Sequence, residues 1–155
     1  MTDLKENLHT EHMVLNMGPS HPATHGTVKF LLTLDGEMIV DCVTEVGYLH
    51  RGFEKMCESV TWANVFPYTD RLNYCSAIMN NIGYALAVEK LLGIECSDRC
   101  KYIRVVTNEL SRISDHYTNI AAAALELGAL TAFIYFVEAR EIAWDLLEKV
   151  CGARL

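Results

Sequence analysis

Nine consecutive residues, Gly18-Pro19-Ser20-His21-Pro22-Ala23-Thr24-His25-Gly26, contain two glycines, two prolines and two histidines. Neither a helix nor a strand runs through such a composition. Pro22 removes a backbone donor and biases His21 toward extended geometry, and the glycines permit backbone angles that other residues avoid. The stretch is therefore predicted to be a stiff, shaped loop that holds His25 out from the ends of two flanking strands. Imidazole moves protons near neutral pH, so a histidine at the tip of a rigid loop is a proton-donor candidate. The competing reading is a strand connection whose histidines cap backbone groups.

The residues on either side supply the strands. Met13 to Met17 (MVLNM) reads as a short strand leading into the loop. Beyond it Val28, Phe30, Leu32 and Leu34 alternate with Thr27, Lys29 and Thr33, the pattern of a half-buried strand. Asp35-Gly36 signals a tight turn. A three-residue turn, Asp35-Gly36-Glu37, pairs Leu34 with Met38, Leu32 with Val40 and Phe30 with Cys42, all apolar. That register is expected over the one set by a two-residue turn at Asp35-Gly36. Gly47 to Phe53 (GYLHRGF) is a second irregular segment, followed by a short helix from about Phe53 to Ser59.

From Pro67 onward the periodicity is helical. Thr69 or Asp70 can cap a helix that ends at Gly93 and is apolar on two sides. Ser97-Asp98 cap the next, which runs to about Leu127 with Cys100, Ile103, Val106, Leu110, Ile113 and Tyr117 as its expected core stripe. Glu109, Arg112, His116 and Asn119 share another face of it, as either a solvated stripe or a buried network. A last helix carries Phe133, Val137, Arg140, Trp144, Leu147 and Cys151 and is closed by Gly152. The expected class is α+β: a tail over 1–11, a small antiparallel sheet with the loop over 12–50, and a helical bundle over 51–155 that stops without a closing element, as in a fragment of a longer protein.

Composition narrows the function. The 155 residues carry a net charge of −7 with no basic run, which argues against nucleic acid as partner. The six cysteines lack paired CxxC spacing, and the first ten residues resemble no leader, so reduced thiols in a cytoplasmic-side protein are expected. Cys96 and Cys100 are spaced as half a metal site with no second half. Ile120 to Val137 is eighteen residues with one charge, Glu126, and approaches the length of a membrane span. Gly128 and Thr131 instead suggest one helix stopping and another starting there.

Together GPSHPATHG, GYLHRGFEK, TDRLNY, GYALAVEKLLG, NELSRISDH and LGALTAF resemble, in this order, the 49-kDa-type (D-type) quinone-site subunit of respiratory complex I. The resemblance spans residues 12 to 154 and corresponds to the N-terminal part of longer family members. It implies that His25, from the THG of the loop, and Tyr74, from the family's DRLxY motif, hydrogen-bond the two ends of a quinone headgroup and protonate it. It further implies that the family's proton-coupling aspartate, paired with the loop histidine, corresponds to Glu126. Here the carboxylate is kept but sits one methylene farther out. Arg51, Arg112 and His116 correspond to residues near the terminal iron–sulfur cluster, which is held by the adjacent small subunit. Quinone is then the substrate, no metal is bound by this chain, and NAD is used by the complex rather than by this chain. The implied partners are the small iron–sulfur subunit, a 30-kDa-type subunit and the membrane subunit that forms the quinone channel. The implied location is peripheral, on the cytoplasmic side of the bacterial inner membrane or the matrix side in a mitochondrion.

Two other readings remain in view. The family is related to the large subunit of [NiFe] hydrogenases, whose first metal-binding cysteine pair lies in an RxCGxC motif. The corresponding segment is Arg71-Leu72-Asn73-Tyr74-Cys75-Ser76, with Asn73 and Ser76 at the two cysteine positions. A large subunit of a membrane-bound hydrogenase-related complex is the nearer alternative. A non-catalytic scaffold paralogue is the other, although a scaffold has no use for His25 and Tyr74.

Overall fold

A computed structural model describes residues 12–154, so the expected tail over 1–11 lies outside the described residues. The chain divides between Phe53 and Glu54 into two compact units. The first is a three-stranded antiparallel sheet in the order β1-β2-β3, with β1 at Met13–Met17, β2 at Lys29–Asp35 and β3 at Met38–Glu45. Met13, Leu15 and Met17 stand opposite Leu34, Leu32 and Phe30, and Leu32 and Leu34 are its buried core.

The β2–β3 hairpin differs from the expected register. Its turn is the two residues Gly36-Glu37, with Asp35 opposite Met38 and Leu34 opposite Ile39. An irregularity between Thr33 and Leu34 then shifts the pairing, so that Leu32 faces Cys42 and Phe30 faces Thr44. A bulge of this kind absorbs Val40, a correction that apolar matching alone cannot foresee, because it changes register within a strand. At the start of β2 the Lys29 ammonium donates to Glu45 at 2.7 Å, and the Tyr48 hydroxyl donates to the same carboxylate at 3.0 Å. Hydrogen bonding from Lys29 holds the Glu45 carboxyl below its ordinary range. This cross-strand pair fixes the strand that leaves the loop.

The second unit is helical. It comprises α1 (Phe53–Glu58, whose first residue is the last of the sheet unit), a 3₁₀ turn at Trp62–Val65, α2 (Phe66–Thr69), a second 3₁₀ turn at Tyr74–Ser76, and three long helices: α3 (Ala77–Leu92), α4 (Asp98–Glu126) and α5 (Leu130–Cys151). Helix α4 starts at Ser97, whose hydroxyl accepts from Cys100 N–H, and ends before Gly128, as the capping signals imply. Helix α3 starts later than expected. Thr69 and Asp70 do not cap it, because their side chains are taken by Asn81.

Helix α4 packs on both α3 and α5, and its inner face is the second departure from expectation. Thr107, Ser111, Ser114 and Ala121 are buried, whereas Ile103, Val106 and Ile113 are exposed. Short side chains let neighbouring helices approach closely. The threonine hydroxyls are satisfied inside the helix, Thr107 by the Ile103 carbonyl at 3.0 Å and Thr118 by that of Ser114 at 3.1 Å. Glu109 is half-buried and Arg112, His116 and Asn119 are exposed, so the polar stripe is an outward face rather than a buried network. Among the described residues no helix is long and apolar enough to cross a membrane.

Candidate functional site

In the sheet unit, the loop between β1 and β2 is built on His21. Its Nδ1 accepts from Ala23 N–H at 3.1 Å, and its carbonyl accepts from Thr24 N–H at 3.0 Å and from the Thr24 hydroxyl at 3.1 Å. His21 therefore does what the structural reading of the loop assigns to both histidines: it caps a turn. His25 follows that turn and is exposed. At the base of the loop Gly18, with φ of +102°, lies against the backbone of Val28 and Lys29. The loop is pinched at its neck, so its outer end is carried on a closed frame. Arg51 is also exposed, two residues ahead of α1.

In the helical unit, Tyr74 opens the 3₁₀ turn and is 67% exposed. Its hydroxyl has no hydrogen-bond partner among the described residues. The turn beneath it is closely organised. The Asn73 carbonyl accepts from both Ser76 N–H and the Asn80 side-chain amide, each at 3.1 Å. The Asn73 amide also donates to the Ser76 hydroxyl at 2.7 Å. The Asn73 and Ser76 side chains, at the positions that the resemblance sets against the cysteines of the hydrogenase motif, are thus joined directly by a neutral hydrogen bond. Behind the turn, Cys75, Ala77 and Ile78 face Ser111 of α4 and Trp144 and Leu147 of α5 around a cavity of about 10 Å³, so the 3₁₀ segment is seated against both helices.

The remaining predicted residues lie on α4. Arg112 donates through Nε to Glu109 at 3.1 Å and through Nη2 to the same oxygen. That hydrogen bonding, with a smaller contribution from the His116 charge, keeps the Glu109 carboxyl low. Glu126 is the last residue of α4 and is exposed. Arg112, His116, Tyr74 and Glu126 belong to the helical unit, and His25 and Arg51 to the sheet unit.

Two polar constellations are not evident in the sequence periodicity. Asn81 accepts from the Thr69 hydroxyl at 2.6 Å through Oδ1 and donates to Asp70 through Nδ2. Glu89 of α3 receives both Nη atoms of Arg104 of α4 and the thiol of Cys96 at 3.3 Å. The Arg104 hydrogen bonds, then that of Cys96, lower the Glu89 carboxyl to about 2, and the carboxylate in turn raises the Cys96 thiol. The signal for the first was an adjacent Asn pair inside an otherwise apolar helix; for the second there was none. Among the described residues no three His, Cys, Asp or Glu side chains gather as a metal site.

No protein-family model matches the chain. It is 58% identical over 146 residues to the D 1 subunit of NADH-quinone oxidoreductase from Anaeromyxobacter dehalogenans (strain 2CP-C), covering 94% of this chain and 34% of that protein. To the D 1 subunit from Sorangium cellulosum (strain So ce56) it is 57% identical over 149 residues, 96% of this chain and 37% of the relative. To the C/D subunit from Bdellovibrio bacteriovorus (strain ATCC 15356 / DSM 50701 / NCIMB 9529 / HD100) it is 55% identical, over 96% of this chain and 26% of the relative. Among solved structures, a chain of the membrane-bound sulfane sulfur reductase, an archaeal respiratory membrane complex, superposes with a TM-score of 0.86 at 29% identity, covering 96% of this chain and 39% of that one. The α+β architecture, the small sheet followed by long helices, is thus shared with a respiratory complex subunit. The chain spans about a third of the length of the curated relatives it matches. On the strength of these identities along almost all its residues, it belongs to the D-subunit family of NADH-quinone oxidoreductases.

Proposed function

We propose that this chain is part of the quinone-reducing core subunit of a proton-translocating NADH:quinone oxidoreductase, peripheral to the membrane and active only in the complex. Electrons come from an iron–sulfur cluster on the neighbouring small subunit. Two-electron reduction of a quinone develops negative charge on both carbonyl oxygens, and the quinol is complete only when each has taken a proton. A phenol and an imidazole are suited to that task, the first contributed by Tyr74 and the second by His25. Arg51, Arg112 and His116 lie toward the cluster in this reading, and their positive or polarisable groups favour its reduced state. Glu126 is the carboxylate that couples protonation at the quinone site to pumping.

The observation that carries the reading is the Tyr74 turn. An exposed phenol stands on a turn in which Asn73 and Ser76 are hydrogen-bonded to each other where a hydrogenase would present two thiolates. That arrangement favours a proton donor over a metal ligand set, and a scaffold needs neither. The 29% identity to a sulfane sulfur reductase chain keeps sulfur as a second acceptor class, but 58% identity to a quinone oxidoreductase relative favours quinone.

The test uses the assembled complex with the full-length protein. Tyr74→Phe removes one oxygen and leaves the ring. The expected result is a fall of about 100-fold in NADH:quinone turnover, the usual worth of one positioned acid. NADH oxidation by an artificial acceptor stays unchanged. Undiminished quinone turnover refutes the assignment.

A further inference from the structure

We infer that Asn80 and Asn81 are positioning residues that aim the Tyr74 phenol. The inference rests on the proton-donor reading of Tyr74 given above. The ring is 67% exposed, so little packing holds it, and it points where its backbone points. That backbone arrives through Asp70 to Asn73, a link between α2 and the 3₁₀ turn whose first three amides bond back to the Phe66, Tyr68 and Thr69 carbonyls, so its exit depends on what Asn73 itself bonds.

Both ends of the link are tied to α3. At the entrance, Asn81 uses its whole amide: Oδ1 accepts from the Thr69 hydroxyl at 2.6 Å and Nδ2 donates to the Asp70 carboxylate. Thr69 is only 4% exposed, so this tie is shielded from water. The opposite amide orientation would set an oxygen against a carboxylate, so the assignment follows from the chemistry. At the exit, the Asn80 amide donates to the Asn73 carbonyl at 3.1 Å, beside the Ser76 N–H on the same oxygen. Two donors on one carbonyl fix the plane of the Asn73–Tyr74 peptide, and with it the direction of the Tyr74 Cα–Cβ bond. Consecutive helix positions point about 100° apart, which is why the two amides reach opposite ends of the link.

A displacement of the phenol by about 1 Å is enough to cost on the order of 100-fold in rate. Asn80→Asp keeps the shape of the side chain and replaces the donor with an acceptor facing the Asn73 carbonyl. In the assembled complex, with turnover normalised to NADH oxidation by an artificial acceptor, this variant is expected to lower quinone turnover about 10-fold, a fraction of that full displacement. A double-mutant cycle separates positioning from general damage. In a Tyr74→Phe background Asn80→Asp should cost less than about twofold, because there is no hydroxyl left to aim. An equal loss in both backgrounds, or no loss in either, overturns the inference while leaving the function of Tyr74 intact. Full turnover of Tyr74→Phe alone removes the underlying reading and this inference with it. Should Asn80→Asp not assemble, Asn80→Ala in the same cycle, which deletes the donor without adding charge, is held to the same outcomes.

Discussion

Gly18 and Gly26 bracket the histidine loop, and alanine at each should have very different consequences. Both have positive φ, +102° and +86°, so a Cβ at either is strained by about 1–3 kcal/mol. At Gly26 nothing lies within 4 Å of the new atom, and that strain is the whole effect. At Gly18 the Cβ would lie deep inside the van der Waals radius of the Val28 carbonyl oxygen and 3.1 Å from Lys29 Cα. Both obstacles are backbone, and that backbone leads into β2, so relief requires moving the strand. The added cost is of the size of an overpacked core, about 1–3 kcal/mol. Gly18→Ala should thus lose about 2–6 kcal/mol in all. Both tryptophans, Trp62 and Trp144, lie in the helical unit, so their fluorescence is a poor probe. Amide hydrogen exchange of Met13–Met17 and Phe30–Leu34 reads the sheet directly. Gly18→Ala should accelerate it by at least about 30-fold, and Gly26→Ala should be the milder variant by about fivefold or more, from 1.4 kcal/mol per decade. Equal acceleration by the two variants would show that the neck of the loop is not sterically closed.

The ion pair of Glu89 with Arg104 makes a pH prediction. The Glu89 carboxyl is lowered from 4.5 to about 2 in the folded chain, so its contribution is complete above about pH 5 and is lost as the pH falls toward 2. Measured as thermal midpoints, the gap between wild type and Glu89→Gln should be constant from pH 7 to 5 and close below it; a gap that widens on acidification contradicts the pairing. For Glu126, the only charge between Ile120 and Val137, Glu126→Gln in the assembled complex should depress quinone turnover and proton pumping together. Normal values of both would dispose of its role in coupling.

Much of this architecture can be read from residue order because its signals are local. Ser97 before Asp98, Gly93, Gly128 and Gly152 after apolar periods, and alternation in 28–34 each specify an element by its own chemistry. What escapes is set by neighbours. The Val40 bulge reflects a conflict between turn geometry and strand pairing that neither segment carries alone. Thr69 and Asp70 are good caps by type, yet Asn81, eleven or twelve residues on, outcompetes the start of α3 for them. At the site, His25 and Tyr74 were accessible through motif resemblance, which already set His25 apart from His21, and the turn adds what His21 does, its Nδ1 accepting from Ala23 N–H. The asparagine ties are tertiary contacts of side chains that periodicity counts merely as polar.

The inverted packing of α4 bears on what a melting temperature of this chain would mean. Ile103, Val106 and Ile113 remain 48%, 59% and 42% exposed while serines fill the helix interface. Each such side chain gains about 1.5–3 kcal/mol on going from exposed to fully buried, so several kcal/mol of hydrophobic stabilisation are still outstanding on one helix. Any protein surface that covers that face binds the folded form preferentially and raises the midpoint by mass action. Thermal stability is then a property of occupancy, rising with concentration and with partner, and the value for the chain in dilute solution is a lower bound.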